Sequence, residues 1–201
     1  MKQVEFYFDL VSPYSYVAHA EIGHLCDAAE AELVLKPMLL GAVLNETGGR
    51  AAVEVPAKHH YMMRDLSLLA ESQGTPLRFP DPFPFRTLKA MRVALWLRQQ
   101  DLMDAFVNEA FSLYWAEGGS PKGRQEADED EPVAEVARRI GADPAEVLEG
   151  ASQSPAKDAL RAATAEALER GVFGAPTFFV GDEMFWGNDR LRFVEAALGR
   201  S

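Results

Sequence analysis

The chain has 201 residues, 48% of them hydrophobic, which is enough to bury one substantial core or a compact domain that carries an insertion. Its net charge of −11 argues against nucleic acid or an anionic membrane surface as a partner. A single cysteine, Cys26, excludes an intrachain disulfide and a cysteine-based zinc site. No signal-like leader and no span of about 20 apolar residues is found, so we expect a soluble, cytoplasmic protein.

The first forty residues have the pattern of a strand, a helix and a second strand. Residues 4–11 are rich in aromatic and β-branched side chains, which favours a buried strand. The helix that follows has Ser12 at its N-cap and Pro13 at its first position, and it extends to about residue 31. Residues 33–39 form the second strand. One helix between two strands favours a parallel pair.

The middle of the chain is predicted to be helical after an irregular, glycine-rich stretch at residues 41–55. The predicted helices cover residues 56–74, 86–100, 101–117, 132–140, 144–151 and 155–170. The last helix is expected to end at Gly171. Residues 126–131 form an acidic run, which we expect to stay on the solvated surface because like charges repel.

The end of the chain returns to the periodicity of strands. Residues 177–180 and 183–186 flank Gly181-Asp182, a pair typical of hairpin turns. A final amphipathic helix is predicted over residues 189–198, with Asn188 as its cap.

The order of elements is therefore β-α-β, a block of helices, and then α-β-β-α. This order predicts an α/β protein with a thioredoxin-like fold and an all-helical insertion between its two parts. The thioredoxin-like domain would comprise residues 1–40 and 155–201, and the inserted helical domain would comprise residues 41–154.

Two segments carry residues suited to holding a ligand. The hydroxyl of Ser12 would lie at the positive end of a helix dipole, which suits an anion or a thiolate, although serine is also an ordinary helix cap. Pro176 precedes the third strand, where a thioredoxin-like fold has a cis proline facing the first helix, and Ala175 would pair with an extended peptide. Asn188 and Asp189 offer a second anion site beside free backbone amides. The alternative is that they only cap the last helix and stabilise its first turn.

The other reactive side chains do not assemble into a site. His19 and His24 are not on one helical face, and the adjacent His59 and His60 point in different directions. Neither HExxH, nor a P-loop, nor GxGxxG occurs, so no metal site is predicted. Cys26 is expected to be a small, buried apolar side chain.

Three motifs together resemble a known family. They are FDLVSPYSY at residues 8–16, GVFGAPT at residues 171–177 and GDEMFWGNDRL at residues 181–191. They resemble the 2-hydroxychromene-2-carboxylate isomerases, a family similar in fold to kappa-class glutathione transferases and to the DsbA disulfide oxidoreductases. DsbA relatives carry Cys-x-x-Cys where this chain has Ser12-Pro13-Tyr14-Ser15, so disulfide exchange by that dithiol is impossible here.

The resemblance implies that glutathione is the cofactor and that Ser12 is the catalytic residue. The Ser12 hydroxyl would donate a hydrogen bond to the glutathione thiolate, whose pKa a helix N-terminus lowers. The cysteinyl backbone would pair with Ala175, and the γ-glutamyl end would meet Asn188 and Asp189. The residues that the resemblance assigns to glutathione are Ser12, Ala175, Pro176, Trp186, Gly187, Asn188 and Asp189.

The second substrate carries a carboxylate, for which the insertion offers Lys58, Arg64 and Arg86. The simpler alternative for each of these cations is a position on the solvated surface without a role in substrate binding. Tyr14, Tyr61 and Trp115 are candidates for an aromatic slot, although core packing is the stronger expectation for Trp115.

The chain departs from its kappa-class relatives in one loop. They tend to have Gly-Asn where this chain has Gly48-Gly49, so one side-chain contact to glutathione is absent. Asn45 and Arg50 are candidate replacements.

The implied activity is an isomerisation in aromatic compound degradation, in which thiolate addition to a conjugated carbon allows bond rotation and elimination restores the double bond. A homodimer is a further expectation from the family. Two other functions stay open: a kappa-type transferase or peroxidase that consumes glutathione, and a thioredoxin-like binding module in which Ser12 is only structural.

Overall fold

The computed structural model describes residues 2–119 and 129–199. The strands in these ranges are β1 (Lys2–Phe8), β2 (Ala31–Pro37), β3 (Thr177–Val180) and β4 (Glu183–Trp186). The helices are α1 (Pro13–Ala28), α2 (Leu40–Thr47), α3 (Pro56–Gln73), α4 (Leu88–Leu97), α5 (Met103–Phe111), α6 (Asp130–Arg139), α7 (Pro144–Ser152), α8 (Ser154–Glu169) and α9 (Leu191–Leu198). Short 3-10 turns occur at Ala52–Glu54, Arg98–Gln100 and Asn188–Arg190, and a π-helical turn follows α5 at Ser112–Ala116.

The strands form a four-stranded sheet in the order β2-β1-β3-β4. β1 is parallel to β2 over its whole length, and β3 is antiparallel to both β1 and β4. The β3–β4 hairpin turns at Gly181, whose φ of 59° favours glycine. The predicted parallel pair and the predicted hairpin are thus confirmed.

The last three residues of β1 are buried, and because side chains alternate along a strand they cover both faces of the sheet. Phe6 and Phe8 face the main apolar core, which includes residues of α1 and of the helical middle of the chain. Tyr7 faces a smaller cluster together with Phe179 and Ala167 of α8. Helices therefore cover both sides of the strand that leads to Ser12.

The helical middle and the sheet share the main core. Trp115 is completely buried there, and its indole N–H donates to the Leu10 carbonyl oxygen at 2.8 Å. The prediction that Trp115 belongs to the core is confirmed. The division into domains at residues 40 and 155 stays a prediction.

Two predictions about local secondary structure are wrong. The glycine-rich stretch is not irregular throughout, because α2 forms at its start: Val43 is buried and Gly48 ends the helix with a φ of 70°. Asn188 does not cap the last α-helix, because a 3-10 turn comes first and α9 begins at Leu191. The predicted Gly171 terminus of α8 is confirmed by its φ of 81°.

The acidic run is also not uniformly solvated. Residues 126–128 lie outside the described residues, but Glu129 is only 2% exposed. Its carboxylate accepts a hydrogen bond from the backbone N–H of Lys89 at 2.5 Å, in the first turn of α4. Glu129 thereby satisfies one of the free amides at a helix start, which overrides repulsion within the run.

None of the helices in the described ranges combines the length and the apolar character that crossing a bilayer requires.

Candidate functional site

Ser12 is the N-cap of α1 and lies almost completely buried. Its hydroxyl oxygen accepts from the Ser15 N–H at 3.1 Å, and its own N–H donates to the Asp9 carbonyl at 2.9 Å. Pro13 follows at the first helical position. The predicted cap is confirmed, so a hydroxyl lies among the free amides at the positive end of the helix dipole.

The segment before β3 faces this helix start. The Ala175–Pro176 peptide bond is cis, as expected for the thioredoxin-like fold. The Ser12 hydroxyl donates to the Ala175 carbonyl oxygen at 3.3 Å. On the other side of the bond, the Pro176 carbonyl accepts from the Gly187 N–H at 2.9 Å. The segment is therefore held both to α1 and to the turn before α9.

A cavity of about 310 Å³, the apolar chamber, opens beside Ser12. Its walls come from α1, α2, α3 and the segment before β3. Two cations, Arg50 and Lys58, line it together with mostly apolar side chains. Among the latter are Val11, Leu40, Leu44, Val53, Met62, Phe83, Pro84 and Phe173. Such a lining suits an aromatic ring that bears an anionic group.

A second cavity, the polar cleft, has a volume of about 420 Å³. Its charged groups are Asp65, Asp189 and Arg190, and the Arg190 guanidinium pairs with the Asp189 carboxylate at 2.6 Å. The remaining lining residues are Tyr14, Tyr61, Leu69, Ala175, Pro176, Trp186, Gly187 and Asn188. The cleft therefore offers partners of both signs to a zwitterion.

Three residues, Tyr14, Ala175 and Trp186, line both the apolar chamber and the polar cleft. The Tyr14 hydroxyl donates to the Asp65 carboxylate at 2.8 Å. Burial, and then this carboxylate, raise the pKa of Tyr14, so the phenol stays protonated at neutral pH. Because the two cavities share three lining residues, they are neighbouring parts of one site.

Trp186 is 51% exposed and stands at this junction, with its ring centre 4.7 Å from that of Phe173. Its position depends on Gly174. A Cβ at Gly174 would lie 2.5 Å from the indole nitrogen, a distance that forces one of the two to move. The absence of a side chain at residue 174 thus keeps the tryptophan over the site.

A third cavity, the second chamber, has a volume of about 530 Å³ and is also lined by α2. It shares six lining residues with the apolar chamber, namely Val11, Leu40, Leu44, Ala51, Val53 and Pro84. Asp9, Asn45, Arg86 and Thr87 also line it. The Arg86 Nε lies 3.5 Å from the Glu129 carboxylate, so this cation already has a partner.

The seven residues predicted to bind glutathione do come together. Ser12, Ala175 and Trp186 line the apolar chamber, and all seven except Ser12 line the polar cleft. Their roles remain predictions.

The predicted substrate-binding residues are placed differently from one another. Tyr14 and Lys58 line the apolar chamber, whereas Arg86 lines the second chamber. Arg64 is exposed on α3 and does not line any of the three cavities. Of the candidate replacements for the missing contact, Arg50 lines the apolar chamber and Asn45 the second chamber.

Sequence reasoning missed Asp65 and Arg190. Arg190 directly follows the predicted pair at residues 188 and 189. Asp65 is four residues beyond Tyr61 on α3, and this spacing places both on one helical face. Only the packing of α3 against α1 shows that this face meets the site.

Cys26 is buried, as predicted, and burial raises the pKa of its thiol to about 11. Within residues 2–119 and 129–199, no three His, Cys, Asp or Glu side chains cluster so as to hold a metal ion.

Residues 3–199 match the DSBA-like thioredoxin domain. A 2-hydroxychromene-2-carboxylate isomerase of Sphingobium xenophagum is 34% identical over 199 residues, which cover 98% of each chain. Glutathione S-transferase kappa 1 of Caenorhabditis elegans is 29% identical, over 96% of this chain and 89% of its own. A solved structure of a 2-hydroxychromene-2-carboxylate isomerase superposes with a TM-score of 0.88 at 32% identity, over 98% of this chain and 95% of that one.

These matches confirm the thioredoxin-like fold and extend over both the sheet and the helical middle of the chain. The chain belongs to the DsbA-like thioredoxin-domain family and, within it, to the 2-hydroxychromene-2-carboxylate isomerases.

Proposed function

We propose that this protein is a glutathione-dependent isomerase that interconverts 2-hydroxychromene-2-carboxylate and trans-o-hydroxybenzylidenepyruvate. One observation carries the proposal beyond the family match. The Ser12 hydroxyl, at the start of α1, opens onto an apolar chamber that also holds two cations. The hydroxyl at the helix start suits a thiolate, and the apolar walls with their two cations suit an aromatic carboxylate beside it.

The polar cleft has the chemical groups that a γ-glutamyl zwitterion requires. Asp65 and Asp189 suit its ammonium group, and Arg190 suits its carboxylate. Ala175 lines both cavities, which supports pairing of its backbone with the middle of a tripeptide that extends from the cleft to Ser12. The residues present thus fit glutathione, and they support its assignment as the cofactor.

The Ser12 hydroxyl has one proton, and in the structure it is donated to the Ala175 carbonyl. An anion at the start of α1 would compete for this proton. If the hydroxyl turns to the anion, the Ala175 carbonyl is released and can accept an amide N–H instead. One rotation of the hydroxyl hydrogen about the Ser12 Cβ–Oγ bond would thereby serve both the thiolate and the peptide backbone, and the oxygen would keep its hydrogen bond from the Ser15 N–H.

Glutathione, when bound, supplies a thiolate that can add reversibly to a conjugated carbon and so permit rotation about the former double bond. The protein's own residues have other tasks. Lys58 and Arg50 hold the carboxylate, and the apolar walls of the chamber exclude water from the reacting carbon.

The decisive experiment follows the ultraviolet conversion of 2-hydroxychromene-2-carboxylate with and without catalytic amounts of glutathione. We expect rapid conversion that requires glutathione and leaves the total thiol unchanged. Ser12→Ala should lower kcat by about 100-fold or more, since a donor to a catalytic anion is lost. A parent protein that binds glutathione without catalysing this conversion would refute the assignment.

The match to kappa-class transferases favours one second candidate, conjugation or reduction of other electrophiles. Stoichiometric loss of thiol in the same assay would identify it. We also propose a homodimer from the family resemblance, and light scattering of the purified protein tests this.

A further inference from the structure

Asp9 is a buried acid that the proposed chemistry does not use. The residue lies three positions before Ser12 and is only 2% exposed. In the part of the chain that the structure describes, no cation forms an ion pair with its carboxyl group. Burial of an acid without a counter-ion is costly, so its hydrogen bonds must account for its presence.

Three donors from three separate segments meet this carboxyl group. Oδ1 accepts from the backbone N–H of Val11 at 3.1 Å and from the hydroxyl of Thr87 at 2.6 Å. Oδ2 accepts from the backbone N–H of Leu40 at 2.9 Å. The donors belong to the loop before α1, the residue before α4 and the first residue of α2. A single side chain therefore joins three elements that are distant in sequence.

These three segments are the ones that place Ser12 relative to the cavities. Val11 precedes Ser12, and Val11 and Leu40 line both the apolar chamber and the second chamber. The main chain of Asp9 adds a direct link, because its carbonyl oxygen accepts from the Ser12 N–H at 2.9 Å. A shift of Asp9 would consequently move the hydroxyl of Ser12 relative to the wall of the chamber.

We propose that Asp9 and Thr87 form a positioning pair that holds the Ser12 hydroxyl at the geometry required for catalysis. This role rests on the proposed function. Val11 and Leu40 donate through backbone amides, which cannot accept, whereas the Thr87 hydroxyl can donate or accept. The contact between Asp9 and Thr87 therefore persists whether or not the carboxyl group carries a proton.

The test compares Thr87→Val, which removes the hydroxyl, with Thr87→Ser, which retains it. Thr87→Val should lower kcat by about tenfold or more and leave the KM for glutathione within about threefold, because the polar cleft keeps its residues. Thr87→Ser should restore kcat to within about threefold of the parent. Without glutathione, Thr87→Val should also speed hydrogen exchange at the backbone amides of residues 11, 12, 14 and 15.

Thr164→Val is the matched control. The Thr164 hydroxyl is also buried and accepts from the backbone N–H of Leu39 at 3.1 Å, at the start of α2, but it does not contact the Ser12 loop. The Thr164→Val substitution should lower the melting temperature without slowing turnover by more than about threefold.

Equal losses of kcat in Thr87→Val and Thr164→Val, or failure of Thr87→Ser to restore kcat, would overturn the positioning role. If the parent is active and Thr87→Val changes neither turnover nor hydrogen exchange, the positioning role is overturned and the proposed function stands. A parent that neither isomerises the substrate nor binds glutathione would overturn the proposed function. In that case, unchanged hydrogen exchange around Ser12 in Thr87→Val would show separately that Thr87 does not hold the Ser12 loop.

Discussion

The hydroxyl of Ser12 joins the start of α1 to the segment before β3, because it accepts from the Ser15 N–H and donates to the Ala175 carbonyl. The same oxygen thus caps a helix and fixes the distance between the two sides of the candidate site. Structural and chemical effects of Ser12 are therefore mixed in any single substitution, and separating them requires a second helix cap as a reference.

The chain provides this reference in Asp143, which caps α7 by accepting from the N–H of Ala145 at 2.8 Å. Asp143→Ala should lower the free energy of unfolding by about 1 kcal/mol, the usual cost of removing a cap. Ser12→Ala should cost about 1–2 kcal/mol, because the Ala175 carbonyl also loses its donor. Urea unfolding of both variants measures this.

Only Ser12→Ala should lower kcat for isomerisation by about 100-fold or more, whereas Asp143→Ala should retain the activity of the parent. If both variants lose stability alike and both remain active, Ser12 is a helix cap without a catalytic role.

Gly174→Ala should weaken glutathione binding, since the new methyl group would displace the Trp186 ring from the junction of the two cavities. We expect the Kd for glutathione to rise by about tenfold or more, which corresponds to about 1.4 kcal/mol. Isothermal titration calorimetry gives the Kd, and quenching of the tryptophan fluorescence reports the displacement.

Gly23→Ala is the control for this variant. A Cβ at Gly23 would contact nothing within 4 Å, and the residue lies inside α1, where alanine favours the helix by about 0.5–1 kcal/mol over glycine. It should stabilise the protein and leave glutathione binding unchanged. Equal affinities of the two glycine variants would show that Trp186 does not contribute to binding.

The parts of the site that could be predicted from sequence are those with local signals. Ser12 followed by Pro13 has the form of a helix start, and Pro176 stands at the beginning of a strand. The γ-glutamyl side was predicted from the motif around Asn188, but the expected cap was wrong, since a short 3-10 turn intervenes.

The remaining parts depend on contacts between segments that are far apart in sequence. Glu129 looks like one charge among several, and it is buried only because α4 presents a free amide to it. Asp65 likewise looks like a surface charge until its carboxylate meets the Tyr14 hydroxyl at the start of α1. Arg50 stays exposed, and only the fold shows that it lines the apolar chamber. Local patterns predict elements well, but they do not show which polar side chain a neighbouring element will contact.

The roles of the cations in the predicted insertion can be distinguished by how much each substitution changes the KM for the substrate. Lys58→Met and Arg50→Met should each raise the KM for 2-hydroxychromene-2-carboxylate by about tenfold, since each removes a charge from the lining of the apolar chamber. The KM for glutathione should change little. Steady-state kinetics with one substrate varied at a time measures both constants.

Arg64→Met serves as the control, because Arg64 is exposed on the same helix as Lys58 and does not line any of the three cavities described above. It should behave like the parent. A larger effect of Arg64→Met than of Lys58→Met would mean that the substrate carboxylate is bound outside the apolar chamber.

Cys26 should be inert in the folded protein. Its thiol is buried, and its pKa of about 11 leaves almost no thiolate at neutral pH. Iodoacetamide should label it far more slowly in the native state than in urea, as followed by mass spectrometry. Cys26→Ala should retain full glutathione-dependent activity, and a loss of activity without a loss of folding would point to a thiol of the protein itself in the reaction.

His19 should make stability depend on pH. Its ring packs on Phe6 and Phe111, with ring centres at 6.1 and 4.9 Å, and burial lowers its pKa below the usual 6.5. The folded state therefore favours the neutral ring. As the pH falls through about 6.5, the unfolded chain binds a proton at this residue that the folded chain does not bind, so the free energy of unfolding decreases.

The decrease should approach about 1.4 kcal/mol per pH unit until the folded ring also becomes protonated. Burial raises the pKa of Asp9 and Glu129, which changes stability in the opposite direction wherever these carboxyl groups titrate. The quantity to measure is therefore the difference between the parent and His19→Gln, in which the amide can still reach Asn108, the present partner of the ring at 2.6 Å. Urea unfolding at about pH 7.5 and 5.5 should show the parent losing about 1 kcal/mol relative to the variant at the lower pH. An unchanged difference would mean that the folded state accepts the imidazolium as readily as the unfolded chain does, and that the ring is not desolvated between α1 and α5.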